Sequence, residues 1–525
     1  MKSEKYFILL ILVIAIFFRL WHLDSIPSGL YPDEAINGNE ALESLKTKSF
    51  RIFYPENNGR EGLFMWLISA SFFFLGVSVW FLKIVPALVG ILTVLGLYLL
   101  TKELLQMATS DKQRATSIAL LASFFLAVSF WHVNFSRIGF RAILVPFILV
   151  FSLYFLIKGF RSQKKINFIA SGIIFGLGFY SYSVFRLAPI LLGVVFLLWY
   201  VVYQRKNLAK NYLLLVACCL SLIFIVALPI GFYFLKNPQN FLGRSSQISI
   251  FGQENIPKAF SKSAILHLAM FNFYGDPNWR HNLSGSPQLL WPVGILFLIG
   301  IFISIKEVIL SIKRKNLLLV ACCLLLLSWF SIMLFASMLT YEGVPHSLRS
   351  VGVIPPVYIF AALGGYHLYQ WLVNKFKLKK MFLVACCLLL VALTLVQFNK
   401  YFIVWGNHPE TKNAFSQDYM IIGNYLNSLP PERQTIVVVN RGGVPVPWPN
   451  GIPMSAQTIM FFENAQYGQV KSTFVLPQDL EKLKIKLPST IIPLQYEENL
   501  FQKLETLFPQ GYSERNNGIL TYQIQ

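Results

Sequence analysis

Apolar runs of about 18–24 residues recur along most of this chain, the length that spans the hydrocarbon core of a bilayer. Such segments must satisfy their own backbone hydrogen bonds, so the chain is expected to fold as a bundle of transmembrane helices. The 525 residues are 55% hydrophobic, with 47 Phe and a mean hydropathy of +0.56. In a soluble protein the net charge of +21 would suggest nucleic acid. Here Lys and Arg gather in short loops between the apolar runs, which is the positive-inside pattern and argues against a nucleic-acid partner. A short basic region and the apolar stretch Phe7–Trp21 open the chain, with no small-residue cleavage site after them. They read as a retained first span.

Six basic clusters are expected on the cytoplasmic side: Lys2/Lys5, Lys102/Lys112/Arg114, Arg161/Lys164/Lys165, Arg205/Lys206/Lys210, Lys313/Arg314/Lys315 and Lys375/Lys377/Lys379/Lys380. With the N-terminus inside, residues 24–60 lie outside and 102–115 inside. An odd number of spans must separate them, so 61–76 is read as an interfacial or re-entrant helix. The rival reading, with 61–76 as a true span, breaks the charge pattern. The spans are then 6–23, 80–101, 115–133, 141–159, 166–181, 186–203, 211–235, 289–311, 317–339, 350–373 and 380–399. That makes eleven helices, with the C-terminus outside. Residues 1–400 form the expected membrane domain, including a first outer loop at 24–79 and a long outer loop at 236–288. The tail 401–525 carries β-rich runs, Thr435–Val439 and Thr458–Phe462, and a helical stretch near Tyr419–Leu429. It reads as a small α/β domain outside the membrane.

The spans hold no acid near their centres, which argues against a proton- or ion-coupled transporter. The polar inventory sits at the outer rim. Asp33, Glu34 and Glu61 supply carboxylates, and Arg60, Arg137, Arg141, Arg186, Arg280 and Arg349 supply guanidiniums. A carboxylate can take the proton of an acceptor hydroxyl. Arginines can hold phosphate oxygens and stabilise a phosphate leaving group. Both together, beside lipid, suit transfer from a lipid-linked phosphate donor.

An ordered set of motifs carries a resemblance. It runs from Pro32-Asp33-Glu34 and Arg60-Glu61-Gly62-Leu63 through Trp131-His132-Val133-Asn134-Phe135-Ser136-Arg137. It ends with Gly275-Asp276-Pro277-Asn278-Trp279-Arg280-His281-Asn282 and His346-Ser347-Leu348-Arg349. In these blocks the chain resembles the GT-C integral-membrane glycosyltransferases. In particular it resembles glycosyltransferase family 39, the bacterial relatives of dolichyl-phosphate-mannose–protein mannosyltransferase and of lipid A aminoarabinose transferase. The resemblance implies a polyprenyl-phosphate sugar donor, used at the extracytoplasmic face of a bacterial inner membrane. It implies inversion by single displacement onto a lipid, protein or glycan hydroxyl. Asp33 matches the family's catalytic acidic residue, the general base, with Glu34 its adjacent partner. Glu61 falls where the family often has His, Glu or Lys followed by Pro-Leu; Gly62-Leu63 follows here. Arg60, Arg137, Arg141 and Arg349 become candidates for the donor phosphate, and Glu61, Asp276, Arg280 and His346 for the substrate site.

Other readings stand beside these. Asp33-Glu34 also suits the first turn of a surface helix that starts at a proline. Arg137, Arg141 and Arg349 could anchor helices at headgroups, and Asp276 and His281 could form a structural turn. Asp276 with His346 suggests a metal, but no ligand spacing supports one, and no cofactor is assigned. The six cysteines occur as three copies of Leu-Val-Ala-Cys-Cys-Leu, at 215–220, 319–324 and 383–388, and read as small apolar residues. The rival functions are a lipid-linked polysaccharide polymerase or ligase, an oligosaccharyltransferase-like enzyme, and a polytopic transporter.

Overall fold

The chain is described by a computed structural model over residues 2–204, 209–446, 451–516 and 518–525. Arg205 and Lys206 of the fourth basic cluster lie outside the described residues. The protein is an α-helical polytopic membrane protein with a small C-terminal sheet domain. Helices occupy all eleven expected span positions. Among the described residues, eight are long and apolar enough to cross a membrane by length and composition. Lys2–Leu20, Lys112–Val128 and the continuous helix Lys165–Tyr180 fill the other three places. Leu63–Leu75 has 13 residues. At 1.5 Å per residue it is about 20 Å long, short of the roughly 30 Å hydrocarbon core.

Two compact units form, one of Met1–Leu23 with Pro86–Trp405, the other of Asp24–Val85 with Gly406–Gln525. The sequence reading groups 24–79 with the membrane domain and begins the second domain at 401. By packing, the first outer loop belongs with the C-terminal region.

In the first unit, burial follows position in the bundle rather than polarity. The apolar stretches of Arg141–Ser162 and Val351–Phe376 are 78% buried, whereas those of Tyr212–Lys236 and Lys379–Trp405 are 11% buried. Tyr212–Lys236 leaves Leu214, Phe224 and Leu235 exposed, as suits a surface turned to lipid. The cysteine copies follow the same rule: Cys219, Cys322 and Cys323 are buried and Cys387 is exposed.

Helices Trp291–Lys313 and Val351–Phe376 cross at two glycines. A Cβ at Gly300 would lie 1.8 Å from the Phe360 carbonyl oxygen, and one at Gly364 would lie 1.9 Å from that of Leu296. Small residues permit such backbone approach in membranes, where packing replaces the hydrophobic drive. Gly364→Val should therefore cost about 3 kcal/mol and deplete the monodisperse peak on size exclusion in detergent. A wild-type elution profile and melting temperature would refute this packing.

The second unit starts with helix α2 (Pro32–Thr47), which comes after α1 (Lys2–Leu20) of the first unit along the chain. A short hairpin comes next, β1 (Phe53–Tyr54) paired antiparallel with β2 (Arg60–Glu61). The C-terminal part holds a five-stranded sheet of β3 (Gln434–Val438), β4 (Thr473–Val475), β5 (Ser489–Pro493), β6 (Tyr512–Asn516) and β7 (Ile519–Ile524). The strand order is β4-β3-β5-β7-β6, parallel through β4, β3 and β5 and antiparallel from β5 onward. Alternation along β3 sends Val437 to a core with Ile422, Ile459 and Met460, and sends Ile436 and Val438 to a second core with Leu500, Phe501 and Leu504. Helices thus cover both faces of the sheet.

Thr458–Phe462, expected as a strand, lies inside the helix Gln457–Tyr467. Its β-branched and aromatic residues favour strand, but burial around most of the helix overrides that preference. One side meets Tyr419 and Ile422. Another meets α2, where Asn39 Nδ2 donates to the Gln457 carbonyl at 3.1 Å and to its Oε1 at 2.9 Å. Asn464 Nδ2 donates to Asn39 Oδ1 at 3.0 Å, and Thr458 Oγ1 donates to the Leu30 carbonyl at 2.8 Å. Gly468, left-handed at φ 69°, ends the helix.

Candidate active site

Pro32 begins α2 because its fixed φ suits the first helical position, and Asp33 and Glu34 then fall in the first turn. Carboxylates are favoured there by the helix dipole, so the surface-helix reading describes the local structure correctly. The two side chains differ in access. Glu34 is fully buried, while Asp33 is partly exposed. Asp33 Oδ1 accepts a hydrogen bond from Asn57 Nδ2, at the tip of the β1–β2 hairpin.

The hairpin lies along one face of α2. Asp33, Asn37, Glu40 and Ser44 are spaced i, i+4, i+7 and i+11, which is one helical stripe. Each meets the hairpin. Arg60 Nη1 donates to Asn37 Oδ1 at 2.8 Å and Nη2 to Glu40 Oε1 at 2.5 Å. Ser44 Oγ and Tyr54 Oη share a hydrogen bond of 2.8 Å. Arg51 bridges Glu43 at 3.1 Å and Glu56 at 3.0 Å. Burial pushes the Glu40 carboxyl up to about 7, with Glu56 adding to the effect and Arg60 opposing it. Arg60, expected at the donor phosphate, thus spends its guanidinium on this buried clamp, with Nε also directed to the Glu56 carbonyl at 3.4 Å. Glu61 is buried in the same hairpin.

The other three motif blocks come together in the first unit. Asn134 Nδ2 donates to the Arg280 carbonyl at 2.7 Å, and Trp131 Nε1 to the Ser347 carbonyl at 3.1 Å. Asp276 is the centre of the cluster. Its Oδ1 accepts from the Asn278 N–H at 2.8 Å. Its Oδ2 accepts from the Ser347 N–H at 2.8 Å, Ser347 Oγ at 2.9 Å and His281 Nδ1 at 3.0 Å. Burial opposes ionisation of Asp276, but His281, then His346 and the Asn278 N–H, outweigh it and hold the carboxyl well below its usual range. His346 Nδ1 lies 4.0 Å from Asp276 Oδ2. Burial first, then Arg349 and His281, push the His346 imidazole far below its usual range.

Asp276, His281 and His346 are also the residues that could hold a metal ion among those described. Their hydrogen bonds already join the 276–282 loop to the 346–349 turn. Arg349 Nη1 donates to Thr340 Oγ1 at 3.1 Å and to the Glu342 carbonyl at 2.7 Å.

The remaining arginines divide. Arg137 is fully buried and donates to the carbonyls of Phe18, Trp21 and His22 at 3.0, 2.8 and 2.8 Å, satisfying the C-terminal end of α1. It belongs to the structural frame rather than to an open phosphate site. Arg141 is partly exposed, with its guanidinium 5.1 Å from the centre of the Tyr182 ring. Arg280 is partly exposed and fixed through its backbone. Asn57 and Glu40 escape the sequence reading. The Asn57-Asn58-Gly59 turn signature and the polar stripe on α2 are the available signals.

The family model for dolichyl-phosphate-mannose-protein mannosyltransferase matches residues 63–230. Comparison with curated proteins finds no match. Among solved structures, ArnT from Cupriavidus metallidurans, bound to undecaprenyl phosphate, is similar with a TM-score of 0.56 and 14% identity, over 99% of this chain and 98% of that one. Its apo form gives the same values. The Archaeoglobus fulgidus oligosaccharyltransferase, in complex with Zn and sulfate, is similar with a TM-score of 0.51 and 15% identity, over 89% of this chain and 62% of that one. The chain therefore shares its fold with ArnT and, over 89% of its length, with the archaeal oligosaccharyltransferase, and its residues 63–230 match the dolichyl-phosphate-mannose-protein mannosyltransferase family model.

Proposed function

We propose that this protein is an inverting glycosyltransferase that moves a sugar from a polyprenyl-phosphate donor to an acceptor hydroxyl at the extracytoplasmic face. The observation that carries the reading is the partly exposed Asp33 carboxylate at the start of α2, directly after the first span, in an ArnT-like fold. Asp33 takes the acceptor proton as the acceptor oxygen attacks the anomeric carbon. The bond from that carbon to the phosphate oxygen breaks, and polyprenyl phosphate leaves with the bonding electrons. One displacement inverts the anomeric centre.

Glu34 is fully buried, so it supports Asp33 rather than meeting the acceptor. Arg141, partly exposed, and Arg349 are assigned to the leaving phosphate. Arg280 and His346 border the substrate, and Asp276 holds their loops together. The undecaprenyl phosphate bound by the similar ArnT supports a monophosphate lipid donor. The basic clusters support a cytoplasmic N-terminus and an outer-face site.

The test is donor consumption in proteoliposomes, using a panel of radiolabelled polyprenyl-phosphate sugars. One donor should be transferred or slowly hydrolysed. Consumption of a diphosphate-linked oligosaccharide alone, or of no donor by well-folded protein, would overturn the donor assignment.

A further inference from the structure

The hairpin that follows α2 is built to deliver one side chain to Asp33. Two restraints fix its base. Tyr54 bonds Ser44, and the Gly62 N–H donates to the Ile52 carbonyl at 2.9 Å. In its middle Arg60 is tied to Asn37 and Glu40 inside the protein. At its tip the backbone is left-handed over three consecutive residues, with φ 50° at Asn57, 63° at Asn58 and 87° at Gly59. Left-handed backbone is costly for most L residues and tolerated by Asn and Gly, so this run dictates their use here. Gly59 also leaves space that a Cβ would close, since that atom would sit 2.5 Å from the Phe53 ring. The turn aims the Asn57 amide at Asp33 Oδ1. Among the described residues no side chain donates to Asp33 Oδ2, and the residue is partly open to solvent.

We infer that Asn57 is a positioning residue for Asp33. Its amide holds Oδ1 and fixes the rotation of the carboxylate, so that Oδ2 is presented to the acceptor hydroxyl. This inference rests on Asp33 being the base. The role needs a donor on a short side chain whose backbone tolerates positive φ, and Asn meets both demands. The surrounding clamp gives the tip its rigidity. Arg60, Tyr54 and Ser44 hold the hairpin to the same helix that carries Asp33, so base and positioning group move as one body. Orientation of this kind acts on the chemical step more than on substrate binding, because an unfixed carboxylate still permits donor and acceptor to bind.

The experiment compares transfer by wild type, Asn57→Gly, Asn57→Asp, Asn58→Gly and Asp33→Asn in the same proteoliposomes, with melting temperatures of each. Asn57→Gly keeps the left-handed backbone and removes only the amide. It should lower kcat about 10–100-fold with KM for the donor within twofold. Asn57→Asp places a second carboxylate where the donor was, and should fall further. Asn58→Gly loosens the same turn without touching Asp33, and should stay within about threefold of wild type. If Asp33→Asn is inactive while Asn57→Gly matches Asn58→Gly, the positioning role is overturned and the base assignment stands. If Asp33→Asn remains active, the base assignment falls and the inference falls with it. A fall in Asn57→Gly that appears in KM, or that tracks a lowered melting temperature, also overturns it.

Discussion

Asp33→Asn should lower glycosyl transfer by about 10³-fold, within the range measured for loss of a general base, and leave donor binding and folding nearly unchanged. The substitution is isosteric, and Asn is tolerated in a first helical turn. Asp33 contributes one hydrogen bond, from Asn57, and the carboxamide of the variant can still accept it through its oxygen once rotated. What the amide cannot do is accept a proton at neutral pH. The measurement is single-turnover transfer with saturating donor, so that the chemical step is read apart from product release. Normal melting temperature and size-exclusion behaviour are the control. Activity within tenfold of wild type would remove Asp33 as base. A rise in donor KM with unchanged kcat would recast it as a binding group. Glu34→Gln makes a useful contrast. Glu34 is fully buried, so its loss should appear as lower stability as well as lower activity.

The membrane frame is legible because hydrocarbon thickness imposes a strong periodic signal. Runs of about 20 apolar residues cannot hide, and helices stand at all eleven positions read from them. The helix Leu63–Leu75 is legible from the parity of the basic loops, which calls for an odd number of spans there. The motif blocks announce which segments carry polar chemistry. What they cannot announce is how each polar group is used. Arg60, Arg137 and Arg141 look alike in sequence. One is neutralised by Glu40, one caps the end of α1, and one remains partly exposed. That division depends on which carbonyls and carboxylates tertiary packing brings within hydrogen-bonding distance, and no local pattern contains it. Likewise Thr458–Phe462 has strand propensity, yet lies in a helix because two surfaces bury it at once. Strand preference is mostly packing preference, so it yields when packing changes. The Asp33–Asn37–Glu40–Ser44 stripe is present in the sequence. Its partner, a hairpin of two-residue strands, is too short to leave a periodic trace.

Arg60→Ala should destabilise the protein by about 3 kcal/mol near pH 8, the low end for stranding one member of a buried ion pair, and by about 1.4 kcal/mol less near pH 5. Glu40 sets this pH dependence. Its carboxyl sits 2.5 Å from Arg60 Nη2 and is nearly excluded from water. Burial raises its pKa from about 4.5 to about 7 even with Arg60 present. Between those values the folded protein binds more protons at Glu40 than the unfolded chain does. Wild-type stability attributable to this group therefore falls as pH rises from 4.5 to 7, by at most about 1.4 kcal/mol per pH unit. Removing Arg60 takes away the attraction that opposes the rise, so ionisation becomes costlier and the loss deepens on the alkaline side. On the acid side Glu40 is neutral in the folded protein with or without Arg60, and only hydrogen bonds to Asn37 and Glu40 are lost, worth about 1 kcal/mol each. Glu40→Gln should flatten the pH dependence and rescue much of the Arg60→Ala deficit at pH 8, since the stranded charge is gone. Melting curves of the four proteins in detergent at pH 5 and pH 8 complete the cycle. Equal destabilisation at both pH values would mean that Glu40 is not the coupled group. A normal melting temperature with a raised donor KM would return Arg60 to the phosphate site and dissolve the clamp that holds the hairpin beside Asp33.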